Sequence, residues 1–314
     1  MSVNKHSVSI IIPTIRGMEY VKSILCSIDN SFSSSTICYE VIIADDQEES
    51  DFKISKYCKD TGYQYIHTGS RGPAWARNAG AKLAIHDYLL FLDDDTTVPD
   101  SYAKRLNHVL DSKGWDFAGG PAKPRDTIKL DVVRYYLSSM HLLEKPVYNK
   151  CGEIVCFPTV QFLIHHQVFK KIEGFDTSFI YPGGEDNDLY LRLKLAGFKG
   201  VFFQELFVYH EYERCLLRFG YTFYRYGYGN GHMCALRGLP QSYSGFIANN
   251  NGKLIYALLI IPYYAFYHPF PMPYRRKLFT DIIFRFLSLV RMWSYECGGA
   301  LGRLRYSQQL NNRT

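Results

Sequence analysis

The chain has 314 residues, enough for one large or two modest domains with a substantial core. A hydrophobic content of 47% with 21% charged residues excludes a disordered protein, and a formal charge of +6 without a dense Lys/Arg run argues against a nucleic-acid tracker. Eight cysteines without a C-x-x-C pair offer no zinc-knuckle spacing, and no charged-then-apolar pattern opens the chain, so the expectation is free thiols in a reducing cytoplasm.

In chain order, Ser7 to Pro13 is a short β-branched run that reads as a buried parallel strand, followed by helical spacing of apolar residues from Met18 to Asp29. Tyr39 to Ala44 is a second strand ending at Asp45-Asp46. Asp51 to Asp60 reads as a helix and Tyr63 to His67 as a third strand. Pro73 to Ile85 is Ala-rich and opens with Pro at a first-turn position, which predicts a helix. Tyr88 to Leu92 is a fourth strand running straight into Asp93-Asp94-Asp95. Repeated strand–helix units imply an α/β fold with a parallel sheet and right-handed crossovers.

Further on, Val155 to Ile164 reads as a strand, His165 to Ile172 as a short helix, Gly183-Gly184 as a flexible loop, Glu185 to Leu195 as a helix and Gly200 to Tyr209 as a final strand ending at His210. Residues 212–237 are rich in Tyr and Arg, with Gly-spaced Tyr226-Gly227-Tyr228-Gly229. Leu254 to Tyr267 is strongly apolar but only 14 residues long, short of the roughly 20 that a bilayer span needs. It precedes Arg275-Arg276-Lys277 and the apolar Leu278 to Met292. Two structures suit such a segment: a helix lying in a membrane interface, or a core helix pair capping the domain.

Three predicted strands end in polar residues: Pro13-Thr14, Asp45-Asp46 and Asp93 to Asp95. In a parallel sheet the carboxyl ends share one edge, where ligands of open α/β folds bind, so the two acidic clusters and Thr14 should converge on one crevice. Three adjacent carboxylates repel and call for a cation. A solvated acidic turn is one outcome, and a divalent metal carrying a phosphate ligand is the other.

Taken together, Ser9-Ile10-Ile11-Ile12-Pro13-Thr14, Val41-Ile42-Ile43-Ala44-Asp45-Asp46, the segment from Gly72 to Gly80, Phe91 to Asp95, Phe169 to Asp176 and Gly184-Glu185-Asp186-Asn187-Asp188-Leu189 resemble the family-2 glycosyltransferases with a GT-A fold. The resemblance covers roughly residues 7–210. It implies a Rossmann-like, mostly parallel central sheet with flanking helices, to which this chain adds a C-terminal helical, aromatic-rich extension. The implied domains are a catalytic domain over 1–210, with a nucleotide-binding half to about 120 and an acceptor half beyond, and a C-terminal region over 211–314. The implied activity is transfer of a sugar from a nucleotide diphosphate sugar, UDP-sugar first, to an acceptor hydroxyl with inversion, assisted by Mn²⁺ or Mg²⁺.

The resemblance also carries site residues. Asp93 and Asp95 look like the family's D-x-D pair, with Asp95 as metal ligand, Asp93 toward ribose or sugar, and Asp94 at the variable position. Asp45 matches the position that hydrogen-bonds the base, although Asp46-Gln47-Glu48-Glu49 departs from the common Gly-Ser continuation. Pro13 and Thr14 line the nucleotide pocket, and Arg16 either reaches a phosphate or is solvated. Arg71 faces the nucleotide. Arg77 and Asn78 either contact the donor or brace the D-x-D strand. Gln161 falls near the donor sugar or acceptor. Glu185-Asp186 matches the acid dyad, with Asp186 as the base and Glu185 second, whereas Asp188 sits at ion-pair spacing from Arg192. His210 either completes the metal shell or is a satisfied histidine. Trp75 either packs in the core or, like the Tyr-rich stretch, stacks on a sugar ring. The acceptor is a saccharide or lipid-linked molecule, with peripheral membrane contact through 254–292 at the cytoplasmic face of a membrane. Two rivals stand: a nucleotidyltransferase, and a catalytically silent nucleotide-sugar-binding subunit.

Overall fold

Ser7–Thr14 (β1) alternates its side chains between two apolar layers, and this is what makes its sequence a continuous apolar run. Val8, Ile10 and Ile12 enter one core, Ile11 the other, and all four are fully buried. The computed structural model describes residues 6–125, 132–148, 154–157, 159–212, 215–239 and 278–311. The chain divides into two compact units, the first comprising Met1–Arg125, His141–Ile180 and Asp188–Glu211, and the second Asp126–Met140, Tyr181–Asn187 and Tyr212–Thr314.

In the first unit the elements follow as α1 (Met18–Phe32), β2 (Cys38–Asp45), α2 (Phe52–Thr61), β3 (Gln64–His67), α3 (Pro73–Leu83), β4 (Tyr88–Leu92), β5 (Thr96–Thr97), α4 (Tyr102–Asp111), β6 (Phe117–Gly119) and β7 (Ala122–Pro124). α1 buries Val21, Ile24, Leu25, Ile28 and Phe32, the three-and-four spacing that marks an amphipathic helix. Asp51 lies just outside α2 as its cap, its carboxylate accepting from the backbone N–H of Lys53 and Ile54, and Gly62 at φ +83° ends the helix. α3 opens on Pro73, where the missing N–H costs nothing.

The second half adds α5 (Val132–Ser139), β8 (Val147–Tyr148), β9 (Ile154–Cys156), β10 (Gln161–His165), α6 (His166–Lys171), α7 (Glu185–Leu195), β11 (Gly200–Phe202), β12 (Val208–His210), α8 (Leu216–Leu236) and α9 (Leu278–Asn311). Among the described residues the main sheet has seven strands in the order β11-β6-β10-β4-β1-β2-β3. It is parallel except for β10, which runs antiparallel to both β4 and β6. A second sheet has the order β5-β12-β7.

Two predicted strands are each two strands. Val155 to Ile164 divides because β9 pairs with β8 while β10 enters the main sheet. Gly200 to Tyr209 divides because β11 extends the main sheet alongside β6, a turn closes from Leu206 N–H to the Phe203 carbonyl, and β12 then joins the second sheet. Apolar content was continuous through both runs, but the hydrogen-bonding partner changes midway.

In the second unit the Gly-spaced aromatic stretch is helical. α8 and α9 pack backbone to backbone: a Cβ on Gly227 would lie 1.8 Å from the Tyr295 carbonyl oxygen, and one on Gly298 would lie 2.0 Å from that of Tyr224. Gly231 and Gly302 continue the two rows four residues on, against Gly299 and Tyr228. Glycine therefore sits within these helices, despite its low helix propensity, because the close approach leaves no room for a side chain. Gly227→Ala is expected to lower stability by about 2 kcal/mol through overpacking; a thermal melt indistinguishable from wild type would show that the helices have slack here.

Among the described residues no helix is long and apolar enough to cross a membrane. Of the expected membrane-contact segment, 254–277 lies outside the described residues, and Leu278 to Met292 is the first part of α9.

Candidate active site

The carboxyl ends of β2, β1 and β4 lie side by side, with Thr14 paired to Asp45 and Ile11 to Phe91. β4 runs into Asp93-Asp94-Asp95, and the acids divide among several partners, with Arg16 shared by two of them. Asp93 accepts from the Arg77 guanidinium at 2.9 Å. Asp94 turns inward and accepts from the Thr14 hydroxyl at 2.6 Å. Asp95 lies between an imidazole and a guanidinium, with His210 Nε2 3.3 Å from Oδ1 and an Arg16 guanidinium nitrogen 2.8 Å from Oδ2. Arg16 also reaches Asp94 at 3.4 Å and lies over the Tyr20 ring, 4.8 Å from its centroid.

β12 delivers His210. It pairs antiparallel with β5, the two residues that follow the acids, in a register that sets His210 opposite Thr96. The Glu211 N–H then donates to the Asp95 carbonyl. Beside Asp95 and His210 opens a cleft of about 280 Å³, also lined by Glu19, Tyr20, Arg125 and Tyr209.

The electrostatics separate the three acids. Burial pushes the Asp94 carboxyl up to about 7, with Arg16 opposing and Asp95 reinforcing. Burial likewise raises Asp93 against the pull of Arg77. Burial would raise Asp95 too, but the charge and hydrogen bond of His210, together with Arg16, outweigh it and hold this carboxyl well below the usual carboxylate range. His210 answers in kind: burial disfavours its charged form, and the Asp95 charge overcomes that and raises it. Asp95 is thus the acid kept ionised.

A carboxylate and an imidazole side by side suit a divalent ion of the Mn²⁺ or Mg²⁺ kind. Among the described residues no group of three His, Cys, Asp or Glu is placed to hold one. Asp95 and His210 therefore fit as a two-ligand platform whose remaining positions would be filled by phosphate oxygens or water, the usual manner for these ions.

Several expected contacts take another form. Asp45 is fully buried, accepting from the Gln47 backbone and side-chain N–H groups, the Asp51 N–H and the Tyr65 hydroxyl, so its oxygens hold the 47–51 loop where a base contact was expected. Arg77 braces Asp93 at the strand end, whereas Asn78 spends its amide on the backbone of Phe175, donating at 2.8 Å and accepting at 2.9 Å, and holds that turn. Gln161 is 1% exposed, accepts from the Tyr102 hydroxyl and donates to the Pro121 and Leu206 carbonyls, so it ties the sheet together and cannot touch a sugar. Gln161→Met is expected to lower stability by about 1–3 kcal/mol, because three buried polar groups lose a partner, while leaving nucleotide affinity unchanged. A weakened nucleotide affinity at unchanged melting temperature would restore Gln161 to the ligand.

Pro13 is half-buried in β1 beside Ala44. Arg71 is exposed, its guanidinium 4.8 Å from the Trp75 ring centroid, and Lys82 lies 6.0 Å from the same ring. Trp75 is half-buried under these two cations and does not belong to the core. Asp188 is fully buried in an ion pair with Arg192, which also donates to the Ile172 and Gly174 carbonyls, so this pair is internal and not on the helix surface.

Glu185 and Asp186 belong to the second unit, at the start of α7. Gly183 and Gly184 precede them at φ +121° and +91°, a backbone open to glycine alone at reasonable cost. The buried Glu185 accepts from the Gly183 N–H at 2.7 Å, and Asp186, half-buried, accepts from the Asn187 N–H at 2.8 Å. Asp46 was missed as a working residue. Its carboxylate accepts from the Thr68 hydroxyl and from the N–H groups of Arg71 and Gly72, clasping the loop that positions Arg71 and opens α3. Its adjacency to Asp45 was the available signal.

A family model described as glycosyl transferase family 2 matches residues 9–173, and one described as the N-terminal domain of galactosyltransferase matches residues 157–215. An uncharacterized glycosyltransferase of Rickettsia conorii is 35% identical over 99 residues, which are 30% of this chain and 15% of that protein. The chain thus matches only a small part of the length of that relative. The mannosyltransferase PcManGT from Pyrobaculum calidifontis, solved in complex with GDP-Man and Mn²⁺, superposes with a TM-score of 0.59 at 14% identity, covering 96% of this chain and 87% of that one. Staphylococcus aureus TarS 1-349, in complex with UDP-GlcNAc, gives 0.54 at 15% identity, covering 96% and 92%. At these identities the likeness concerns the fold: a mostly parallel central sheet with flanking helices and a C-terminal helix.

Proposed function

We propose, for a chain that belongs to glycosyl transferase family 2, that it moves a sugar from a nucleotide diphosphate sugar, UDP-sugar first, to an acceptor hydroxyl with inversion and with Mn²⁺ or Mg²⁺ bound. The observation that carries this is Asp95, held ionised between His210 and Arg16 at the carboxyl edge of the sheet. Support for a nucleotide-sugar donor and for a divalent ion comes from the complexes solved for TarS and PcManGT.

In this proposal Asp95 and, once its ring has given up its extra proton to solvent, His210 would hold the ion, which when bound would offset the charge left on the departing diphosphate. Asp93, steadied by Arg77, faces the ribose or sugar. Thr14 and Pro13 form the floor of the nucleotide pocket. Arg71, exposed beside the start of α3, offers a cation to the diphosphate. Asp186 takes the proton of the acceptor hydroxyl as that oxygen bonds to the anomeric carbon and the bond to the diphosphate breaks on the opposite face. Glu185 holds the Gly183 turn that presents Asp186. The division into a catalytic domain over 1–210 and a C-terminal region over 211–314 belongs to the same proposal.

The acceptor is a saccharide or lipid-linked molecule, met at the cytoplasmic face of a membrane that the C-terminal region touches. Flotation with anionic liposomes tests the last clause: a chain that stays wholly at the bottom of the gradient removes it. The central test is a screen of nucleotide sugars with and without Mn²⁺ or Mg²⁺. Nucleoside diphosphate release supports the proposal. Pyrophosphate release favours a nucleotidyltransferase, and binding without turnover favours a silent subunit.

A further inference from the structure

We propose that Arg16 is a resident counter-cation of the acidic cluster, displaced when the divalent ion arrives and thereby released to the diphosphate of the donor. The inference rests on the metal-assisted function above and goes beyond it, by making one side chain couple ion entry to nucleotide capture.

Both oxygens of Asp95 are engaged, one by His210 at 3.3 Å and the other by Arg16 at 2.8 Å. An ion that ligates Asp95 at metal–oxygen distance brings two positive charges against the guanidinium on the same carboxylate, and the two cations repel. The two partners differ in how firmly they are held. The backbone of His210 is fixed in the β12 ladder opposite Thr96, and its side chain is 15% exposed. Arg16 lies in the loop between β1 and α1, and its side chain is 38% exposed. Its guanidinium is the partner that can leave.

Somewhere for it to go is already built. The Tyr20 ring, 39% exposed on the first turn of α1, sits 4.8 Å from the guanidinium, so the cation can slide over an aromatic face without entering bulk water alone. Its backbone does not move with it, because the Arg16 N–H donates to the Thr14 hydroxyl at 3.0 Å, and that hydroxyl holds Asp94. The swing is therefore confined to the side chain. A planar guanidinium leaving a carboxylate beside a metal-bound diphosphate meets the ligand its donor fork fits. Linkage makes the coupling reciprocal: whatever factor the ion adds to nucleotide affinity by releasing Arg16, bound nucleotide adds to ion affinity.

The test is Mn²⁺ titration of the full chain, read by electron paramagnetic resonance without nucleotide, on wild type and on Arg16→Gln. R16Q is expected to bind Mn²⁺ about tenfold more tightly, and in saturating Mn²⁺ to bind UDP or GDP about tenfold more weakly, within the usual range of coupled sites. Arg16→Met, matched in length, carries the same expectation should R16Q fail to fold. A measurement on the wild-type chain is independent of both: the Arg16 Nε–H resonance should move toward that of free arginine on addition of Mg²⁺. Unchanged or weaker Mn²⁺ binding by R16Q, or an Arg16 resonance indifferent to Mg²⁺, overturns this inference and leaves the proposed function standing. A wild-type chain that binds neither Mn²⁺ nor a nucleoside diphosphate overturns both.

Discussion

Asp95→Asn is expected to reduce diphosphate release from the nucleotide sugar by about a thousandfold and to abolish Mn²⁺ binding in the absence of donor. The magnitude follows from the several kcal/mol that a Lewis-acid ion contributes to a departing phosphate, at about 1.4 kcal/mol per factor of ten. The substitution keeps shape and removes charge. It relieves the repulsion that helps raise Asp93 and Asp94 but also takes a charged partner from His210 and Arg16, so the two effects oppose and the fold should survive the change that removes activity. Such a trade is typical of like charges gathered for function. Single-turnover release with a melting curve alongside gives both readouts. Turnover within a few-fold of wild type would remove Asp95 from the metal site and take the proposed mechanism with it.

Asp186→Asn should act on a different step. The amide oxygen can still accept from the Asn187 N–H, so the start of α7 keeps its geometry, but an amide cannot take a proton from the acceptor. A loss of about 10²–10⁴-fold in kcat is expected, with Mn²⁺ and nucleotide affinity intact. Glu185→Gln provides the contrast. Glu185 is buried and accepts from Gly183 N–H, so its loss should appear first in stability. If D186N turns over normally while E185Q does not, the base has been assigned to the wrong member of the dyad.

The legible part of the site was its local part. A β-branched run followed by an acid reports a buried strand and the carboxyl edge of a sheet, whichever strands lie beside it. Thr14, Asp45 and Asp93 to Asp95 were placed on that edge by periodicity alone, and the main sheet brings them there. Which acid faces which partner was not legible. Asp94, expected on the donor at the variable position of the D-x-D pair, is locked to Thr14, and Arg16, expected at a phosphate or in solvent, spans Asp94 and Asp95. Gln161 carries the same amide whether it meets a sugar or three buried groups, and only its 1% exposure decides between them.

By itself the sequence determined the strand–helix alternation, the acids at the strand ends and the family resemblance, because each depends on residues within a few positions of one another. Only the tertiary structure decided that Gly200 to Tyr209 breaks in two, and that break is what sends His210 into the β5–β12 ladder against Asp95. Pairing between distant segments is chosen by hydrogen-bond register and shared burial, which no short window of residues contains. For the same reason the α8 glycines read only as a Gly-spaced aromatic stretch, and their purpose shows once α9 is laid against them.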